Sequence, residues 1–328
     1  MRKSVLCFTL GVMLIAIRSP ADAQQPAKMP QIAWLMGPNL SAEPDRIEAF
    51  RDGLRALGYV EGKTIAIELR SAEGKIDRLP ALAAELVRLK VDIIVSAGLG
   101  PTRAAKEATT TIPIVMTNDG DPVGSGNVGS LARPGGNITG LSTLAPELAG
   151  KRLELLQEIL PKLSRVAVFR TSTQPGNARN LKEVELAAKS FGMQLQNLDV
   201  LDAKDITPAF RAASKDRAEA GLMMVAGAVA NPRRKEIVEL AVKARLPIIY
   251  SGRSTVEAGG LMSYGVNQND LDRRAATYVD KILKGAKPAD LPVEQPIKFE
   301  FIVNLKSAKQ IGLTIPPNVL VRADRVMK

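Results

Sequence analysis

The stretch that decides the fold is Val91-Asp92-Ile93-Ile94-Val95-Ser96-Ala97-Gly98-Leu99-Gly100-Pro101-Thr102. Its first five residues are apolar except for Asp92 and rich in β-branched side chains, which suits a strand covered on both faces. The glycines break that strand, and Pro101 fits the first turn of a helix, where a missing N–H leaves nothing unpaired. A strand, a glycine loop and a helix make one βα unit of a parallel sheet. The unit recurs on either side. Apolar runs centre near Trp34, Ile67, Ile93 and Ile114. Between them Ile47, Phe50, Leu54 and Leu57, and then Ile76, Leu79, Ala83 and Leu86, share helical faces at 3.6-residue spacing. Leu57-Gly58-Tyr59 stops the first helix, and Ile65-Ala66-Ile67-Glu68-Leu69 alternates as a strand with one wetter face does.

After a glycine-rich passage from Gly120 to Gly140 the pattern restarts. Strands centre near Val168, Leu195, Met223 and Ile249, with helical faces at Leu181, Val184, Ala188 and Phe191 and at Ile237, Leu240, Ala241 and Ala244. The fold class is therefore α/β, with two doubly wound parallel-sheet lobes. Gly260 to Tyr264 reads as a further strand, followed by a helix carrying Leu271, Ala275, Tyr278 and Ile282 that stops at Gly285. Pro288, Pro292 and Pro296 then punctuate an extended stretch before Phe299 to Val303. Such a tail returns to the first lobe and crosses again, so a multi-crossover hinge is expected. The expected N-terminal lobe is 31–143 plus about 260–290, and the C-terminal lobe 144–259 plus about 291–328.

The start of the chain reads as an address. Arg2 and Lys3 precede the apolar run Val5 to Ile17, Arg18 ends it, and Ala21-Asp22-Ala23 has the small-x-small pattern of a cleavage site. Residues 1–23 are expected to be a signal peptide and 24–30 a polar linker. The run is too short to cross a bilayer, so no integral membrane segment is expected in the mature chain. Cys7, the only cysteine, lies within the signal, which leaves no thiol to carry a lipid or a disulfide. The expected location is the periplasm.

Composition removes several classes of chemistry. With no histidine among 328 residues there is no Ser-His-Asp machinery and no imidazole metal ligand, and no metal or cofactor is expected. The formal charge of +11 is scattered and read as solvated, paired surface, as in Lys151-Arg152-Glu154 and Arg233-Arg234-Lys235-Glu236. Seven Phe, four Tyr and one Trp are too few to interleave with a basic stripe, which argues against nucleic acid. Gly98-Leu99-Gly100 lacks the third glycine of a dinucleotide fingerprint, and neither a GxxxxGK[ST] loop nor a GxSxG elbow occurs.

In open parallel sheets, ligands bind beyond the carboxyl ends of the strands. The residues there are Asn39 and Ser41 after the first strand, then Ser96, Gly98, Gly100 and Thr102 after the third. Asp121 follows the fourth, within Asn118-Asp119-Gly120-Asp121-Pro122. In the second half they are Thr171 and Asn177, the small apolar pair Gly227 and Ala228, and Arg253, a partner for an acidic group. Plainer alternatives stay open: a tight turn at Gly98, Asx-type capping at Asp121, a surface arginine at 253.

Several blocks resemble a known family. Phe50-Arg51-Asp52-Gly53-Leu54-Arg55-Ala56-Leu57-Gly58-Tyr59-Val60-Glu61-Gly62-Lys63 is one. Gly120-Asp121-Pro122-Val123-Gly124-Ser125-Gly126 is another, with Ser130-Leu131-Ala132-Arg133-Pro134-Gly135-Gly136-Asn137-Ile138-Thr139-Gly140 after it. Gly150 to Leu156, Glu257 to Gly265, Lys281 to Gly285 and Leu313 to Pro317 continue the series in order along the chain. Together they resemble ABC-transporter substrate-binding proteins related to the tryptophan/tyrosine-binding group. The resemblance implies a type I periplasmic binding protein, a ligand clasped between two lobes, and an ABC importer permease as partner. It also implies ligand contacts from Gly98 to Thr102, Asp121, Asn177 and the loop after Met223. Where relatives carry a bulky, often aromatic stretch, this chain has Gly227-Ala228-Val229-Ala230-Asn231. Where they carry Ser-Arg-Glu, it has Gly252-Arg253-Ser254. An aliphatic or larger ligand is implied.

The function expected is non-catalytic capture of a small solute, an amino acid or related carboxylate, by a monomer that delivers it to the importer. The alternatives are a ligand-responsive protein reporting to a membrane receptor, and a hydrolase using Asp119 or Asp121 with Lys106. With its ammonium partner buried, Asp121→Ala is expected to lower ligand affinity by about 2–5 kcal/mol, read by titration calorimetry.

Overall fold

Residues 29–174 and 176–328 are described by a computed structural model; the expected signal peptide, with Cys7, and residues 24–28 of the expected linker lie outside the described residues. The strands are β1 (Gln31–Met36), β2 (Ala66–Ser71), β3 (Ile93–Ala97), β4 (Ile114–Asp119), β5 (Ile138–Ser142), β6 (Arg165–Arg170), β7 (Gln194–Asp199), β8 (Ala220–Met224), β9 (Ile248–Tyr250), β10 (Met262–Val266), β11 (Phe299–Asn304) and β12 (Arg325–Met327). They form one sheet in the order β2-β1-β3-β4-β5 and another in the order β12-β11-β10-β9-β8-β6-β7. Taken from β7 to β10, the second sheet repeats the order of the first. The chain thus builds the same doubly wound unit twice.

Each unit is a parallel sheet with helices on both faces. Ile32 to Met36 in β1 are fully buried. Trp34 and Met36 pack with Phe50, Leu54 and Leu271 on one face, and Ala33 and Leu35 with Leu79, Ala83 and Leu86 on the other. In the second lobe, Val166 and Val168 join Leu153, Leu156 and Val184, while Ala167 and Phe169 join Phe210 and Ile237. The edge strand β2 is half-buried along its length, as its alternation predicts. Leu57 and Ile76 fall outside the expected helical faces. Leu57 closes the helix Pro44–Ala56 and Ile76 lies in a single turn before the helix Leu79–Arg88; each is 39 % exposed.

The hinge corrects the expected lobe boundaries. The segment of about 260–290, assigned above to the N-terminal lobe, is divided. β10 pairs with β9 and β11 in the second sheet, whereas the helix Gln268–Leu283 packs on the first lobe. The start of the segment from about 291 also belongs with the first lobe. Leu291 and Pro292 accept hydrogen bonds from Thr139 and Tyr278 there, and the Val293 and Glu294 amides donate to Leu131 and Gly140. The chain therefore crosses after β5, after β10 and before β11. The later two crossings lie side by side, the Asn267 amide donating to the Lys298 carbonyl at 3.1 Å. This arrangement explains why β11 is antiparallel to β10 in an otherwise parallel lobe. β10 leaves the second sheet at its carboxyl end, and the returning chain re-enters at that same end without a crossover helix, so it must run the other way.

The helix Gln268–Leu283 seats on Pro44–Ala56 through a close backbone approach. A Cβ on Gly53 would stand 2.3 Å from the Arg273 carbonyl oxygen, so only glycine fits there. Beside it, Arg46 and the fully buried Asp272 form a two-pronged ion pair, Nε to Oδ2 at 2.7 Å and Nη2 to Oδ1 at 3.0 Å. Asp272→Ala leaves a buried guanidinium without its anion. Urea denaturation is expected to read a loss of about 3–5 kcal/mol for it, and a smaller loss when Arg46→Met is added.

Candidate functional site

In a sheet of this order the chain reverses its winding direction between its first and third strands, and the loops part there. The switch points lie between β1 and β3 in one lobe and between β6 and β8 in the other. The loops that follow these strands, with the loop after β4, carry most of the expected residues. What those residues do differs from one to the next.

Several hydroxyls and amides are consumed in shaping the loops. Ser96 is fully buried and shares a 2.8 Å hydrogen bond with Thr102 Oγ1, whose hydroxyl also reaches the Gly98 carbonyl at 2.8 Å. Gly98 has φ +113°, a conformation that excludes side chains, and it opens the helix Leu99–Ala108. Gly100 lies against Leu79, whose Cδ1 would be 3.3 Å from an added Cβ. Thr171 is buried, donating to Val200 O at 2.7 Å and accepting from the Ala226 amide at 3.1 Å, which ties the loops after β6 and β8 together. Asn177 is buried and donates to the Thr171 carbonyl. Asn39 and Ser41 are spent on one another, with Ser41 N and Oγ both 3.0 Å from Asn39 Oδ1 in an exposed turn. Gly227 is exposed and begins the short helix Gly227–Ala230, which also holds Ala228. Arg253 is bound to its own helix by Glu257 at 2.7 Å, which raises its already high pKa.

The loop after β4 is built on its carboxylates. Asp119 accepts from Asn127 Nδ2 at 2.6 Å, Ser125 Oγ at 3.1 Å and the Asp121 amide at 3.0 Å. Burial pushes its pKa up, and these three bonds oppose that shift in part. Asp121 is 6 % exposed. Its Oδ1 accepts from the Gly124 amide at 3.0 Å and from Arg179 Nη1 of the other lobe at 3.3 Å; its Oδ2 is buried with no partner. Arg179 also pairs with Glu147 at 2.9 Å. On the opposite rim Arg234 of the second lobe reaches Glu43 of the first at 3.4 Å, and Gly74 lies against Pro232. The two lobes are closed on each other at both rims.

Three participants were not singled out from the sequence. Asn118 Nδ2 donates to Gln268 Oε1 at 3.4 Å, and Gln268 Nε2 is buried with no partner. Gln268 follows β10, so the strand-end rule applied to the last quarter of the chain would have found it. Arg152, read above as part of a paired, solvated surface, is instead buried at 5 % exposure, with its pKa pushed down to about 10 by that burial. Among the described residues no group of three or more carboxylates or thiols is placed to hold a metal ion, and no helix is long and apolar enough to cross a membrane.

Two lobes of one topology, three crossings between them, and polar atoms left unpaired where strand ends face each other define a two-lobed solute-binding protein of the type I class. Comparison with known proteins agrees. Residues 37–327 match the family of ABC transporter substrate binding proteins, and the chain belongs to that family. It is a non-catalytic solute-binding protein. A tyrosine-binding protein of Clostridioides difficile is 25 % identical over 275 residues, 81 % of this chain and 76 % of that one. The structure of a conserved domain protein from Vibrio cholerae superposes with a TM-score of 0.85 at 29 % identity, over 91 % of this chain and 100 % of that one. An ABC domain in complex with L-Trp from Streptococcus pneumoniae superposes with a TM-score of 0.84 at 26 % identity, over 91 % and 99 %.

Two outcomes follow from the loop after β4. The Arg179 side chain is 53 % exposed, so its pairing with Asp121 is screened, and Arg179→Ala is expected to weaken closure by only about 0.5 kcal/mol, read as a slight expansion in small-angle scattering. The raised pKa of Asp119 means that its contribution to stability is complete below the ordinary carboxylate value and is lost as pH rises through the raised one. Wild type is therefore expected to lose more stability than Asp119→Asn does as pH rises above the ordinary carboxylate range, measured by denaturant unfolding at each pH.

Proposed function

We propose that this protein captures an amino acid or a related small carboxylate between its lobes, in the periplasm, and delivers it as a monomer to an ABC importer permease. The observation that carries this reading is a pair of orphaned polar atoms in the first lobe, one in the loop after β4 and one at the start of the helix Gln268–Leu283. Asp121 Oδ2 is an acceptor and Gln268 Nε2 a donor, both buried and both without partners. An unpaired buried polar atom is unfavourable, and a zwitterion relieves both, its ammonium on Asp121 and an oxygen on Gln268. Asp121 Oδ1 is already held by Gly124 and Arg179, so Oδ2, buried against Gly124, is the one carboxylate oxygen left for an ammonium to reach as the cleft takes up a solute. The backbone N–H groups at Leu99 and Gly100 start a helix beside Asn118 and add donors for a carboxylate.

Relatives support the amino-acid class: one is named for tyrosine and another holds L-Trp. The stretch from Gly227 to Ala230 supplies only small aliphatic side chains, which favours an aliphatic side chain on the solute or one that fills the space itself. The periplasmic address rests on the N-terminal sequence, and the permease on the family's import systems.

Native mass spectrometry of the protein purified from the periplasm, followed by denaturation, identifies any bound solute. A thermal-shift panel of the common amino acids serves as the second measurement, since a ligand that binds only the folded state raises Tm. A released amino acid or a clear shift from at least one member supports the reading; a released sugar or purine with no shift from the panel overturns it. With the solute found, Gln268→Ala is expected to weaken binding by about 1–3 kcal/mol in calorimetry, since its partner is left unpaired.

A further inference from the structure

The helix Ala145–Ile159 carries Arg152 toward the second sheet rather than toward solvent. Its Nε donates to the Tyr264 carbonyl at 2.7 Å, and among the described residues neither an ion pair nor a hydrogen bond engages its two Nη groups, which are not sealed from solvent. Nη2 lies 3.8 Å from the place where a Cβ on Gly265 would stand. That Cβ would fall 2.0 Å from the Ser251 carbonyl oxygen, so only glycine fits there. The guanidinium therefore sits at the carboxyl ends of β9 and β10, where the chain leaves for the first lobe. Arg46, the other buried arginine among the described residues, has an acid, Asp272.

A guanidinium carries five N–H donors and stays charged at any ordinary pH. With its stem covered, no acid beside it and its Nη groups still in reach of solvent, it can exchange water for an anion that fits the fork. Both Nη groups remain open while the stem is covered, which is the arrangement that takes a two-oxygen anion side by side.

We infer that Arg152 is an anion subsite at the floor of the interlobe cleft, taking the carboxylate of the captured solute. This deepens the proposed function, on which it rests for the identity of the occupant: the solute is an acid, and its acid group is anchored on the second lobe at the hinge, not only on the helix that begins at Leu99. A solute that lacks the carboxylate then leaves the second lobe unengaged.

The test uses sodium formate as a minimal carboxylate, with the full chain and Arg152→Met, Arg152→Gln and Arg152→Lys, at constant ionic strength balanced by a bulky sulfonate. The wild-type Tm is expected to rise with the logarithm of formate concentration once it exceeds the Kd, reaching a shift of roughly 5 °C near a hundredfold excess. Arg152→Met and Arg152→Gln are expected to lose at least four-fifths of that rise. Arg152→Lys, which keeps the charge without the fork, is expected to keep it with Kd weakened about 10-fold. A packing role alone would lower Tm by the same amount at every formate concentration; equal formate responses in wild type and Arg152→Met would overturn the inference. If neither Arg152→Met nor Arg152→Gln folds, Arg152→Lys decides: an unchanged Kd places the response elsewhere and overturns it. The readout does not depend on the amino-acid panel. A formate response with no amino-acid hit sinks the proposed solute while leaving the subsite, and the reverse pattern does the opposite.

Discussion

The first lobe is held together by a charge pair that bridges distant parts of the chain. Arg46 and Asp272 are 226 residues apart in sequence and meet inside the lobe as a two-pronged pair. The pair does more than fasten two helices. Arg46 Nη2 also reaches Thr117 Oγ1, Thr117 donates to Asn118 Oδ1, and Asn118 Nδ2 donates to Gln268 Oε1. One polar chain therefore runs from the helix contact beneath the hinge to the strand ends where the solute is proposed to sit. Because each member is satisfied by the next, Gln268 is left with a single orientation, its Nε2 unspent. Buried networks of this sort fix geometry more than they add stability.

The same distinction between groups that shape and groups that bind runs through the other loops. Ser96, Thr102, Thr171 and Asn177 stand where a ligand contact would be expected, yet their polar atoms are turned into the protein, Ser96 onto the Thr102 hydroxyl and the others onto backbone carbonyls. What remains for a solute is a short set of atoms whose partners the fold withholds. That economy suits capture by closure, since few unpaired groups need to be tolerated in the open state.

How much of this was legible in the sequence depends on range. The strands and helices follow from local periodicity, and the doubled topology from the restart of the pattern near Val168. The hinge was legible as an expectation of several crossings, but the division of the segment near 260–290 was not. Nothing local to Met262–Val266 tells whether its neighbours come from β9 or from the first sheet; pairing is decided by which edge is vacant. Residue chemistry placed Asp121 correctly at a strand end, while the arginine that occupies its Oδ1 comes from 58 positions away. Arg152 was misread for the opposite reason. Its neighbours Lys151 and Glu154 do form a surface pair at 2.7 Å, and the helical turn that exposes them drives the residue between them inward.

The late return of the chain to its first lobe has a consequence for biogenesis. The helix Gln268–Leu283 and the strap through Val293 and Glu294 complete that lobe, so its hydrophobic interior stays open until most of the polypeptide is available. Until that helix arrives, the face of the sheet it covers stays exposed to water. The portion made first therefore cannot lock into its native shape ahead of the rest of the chain.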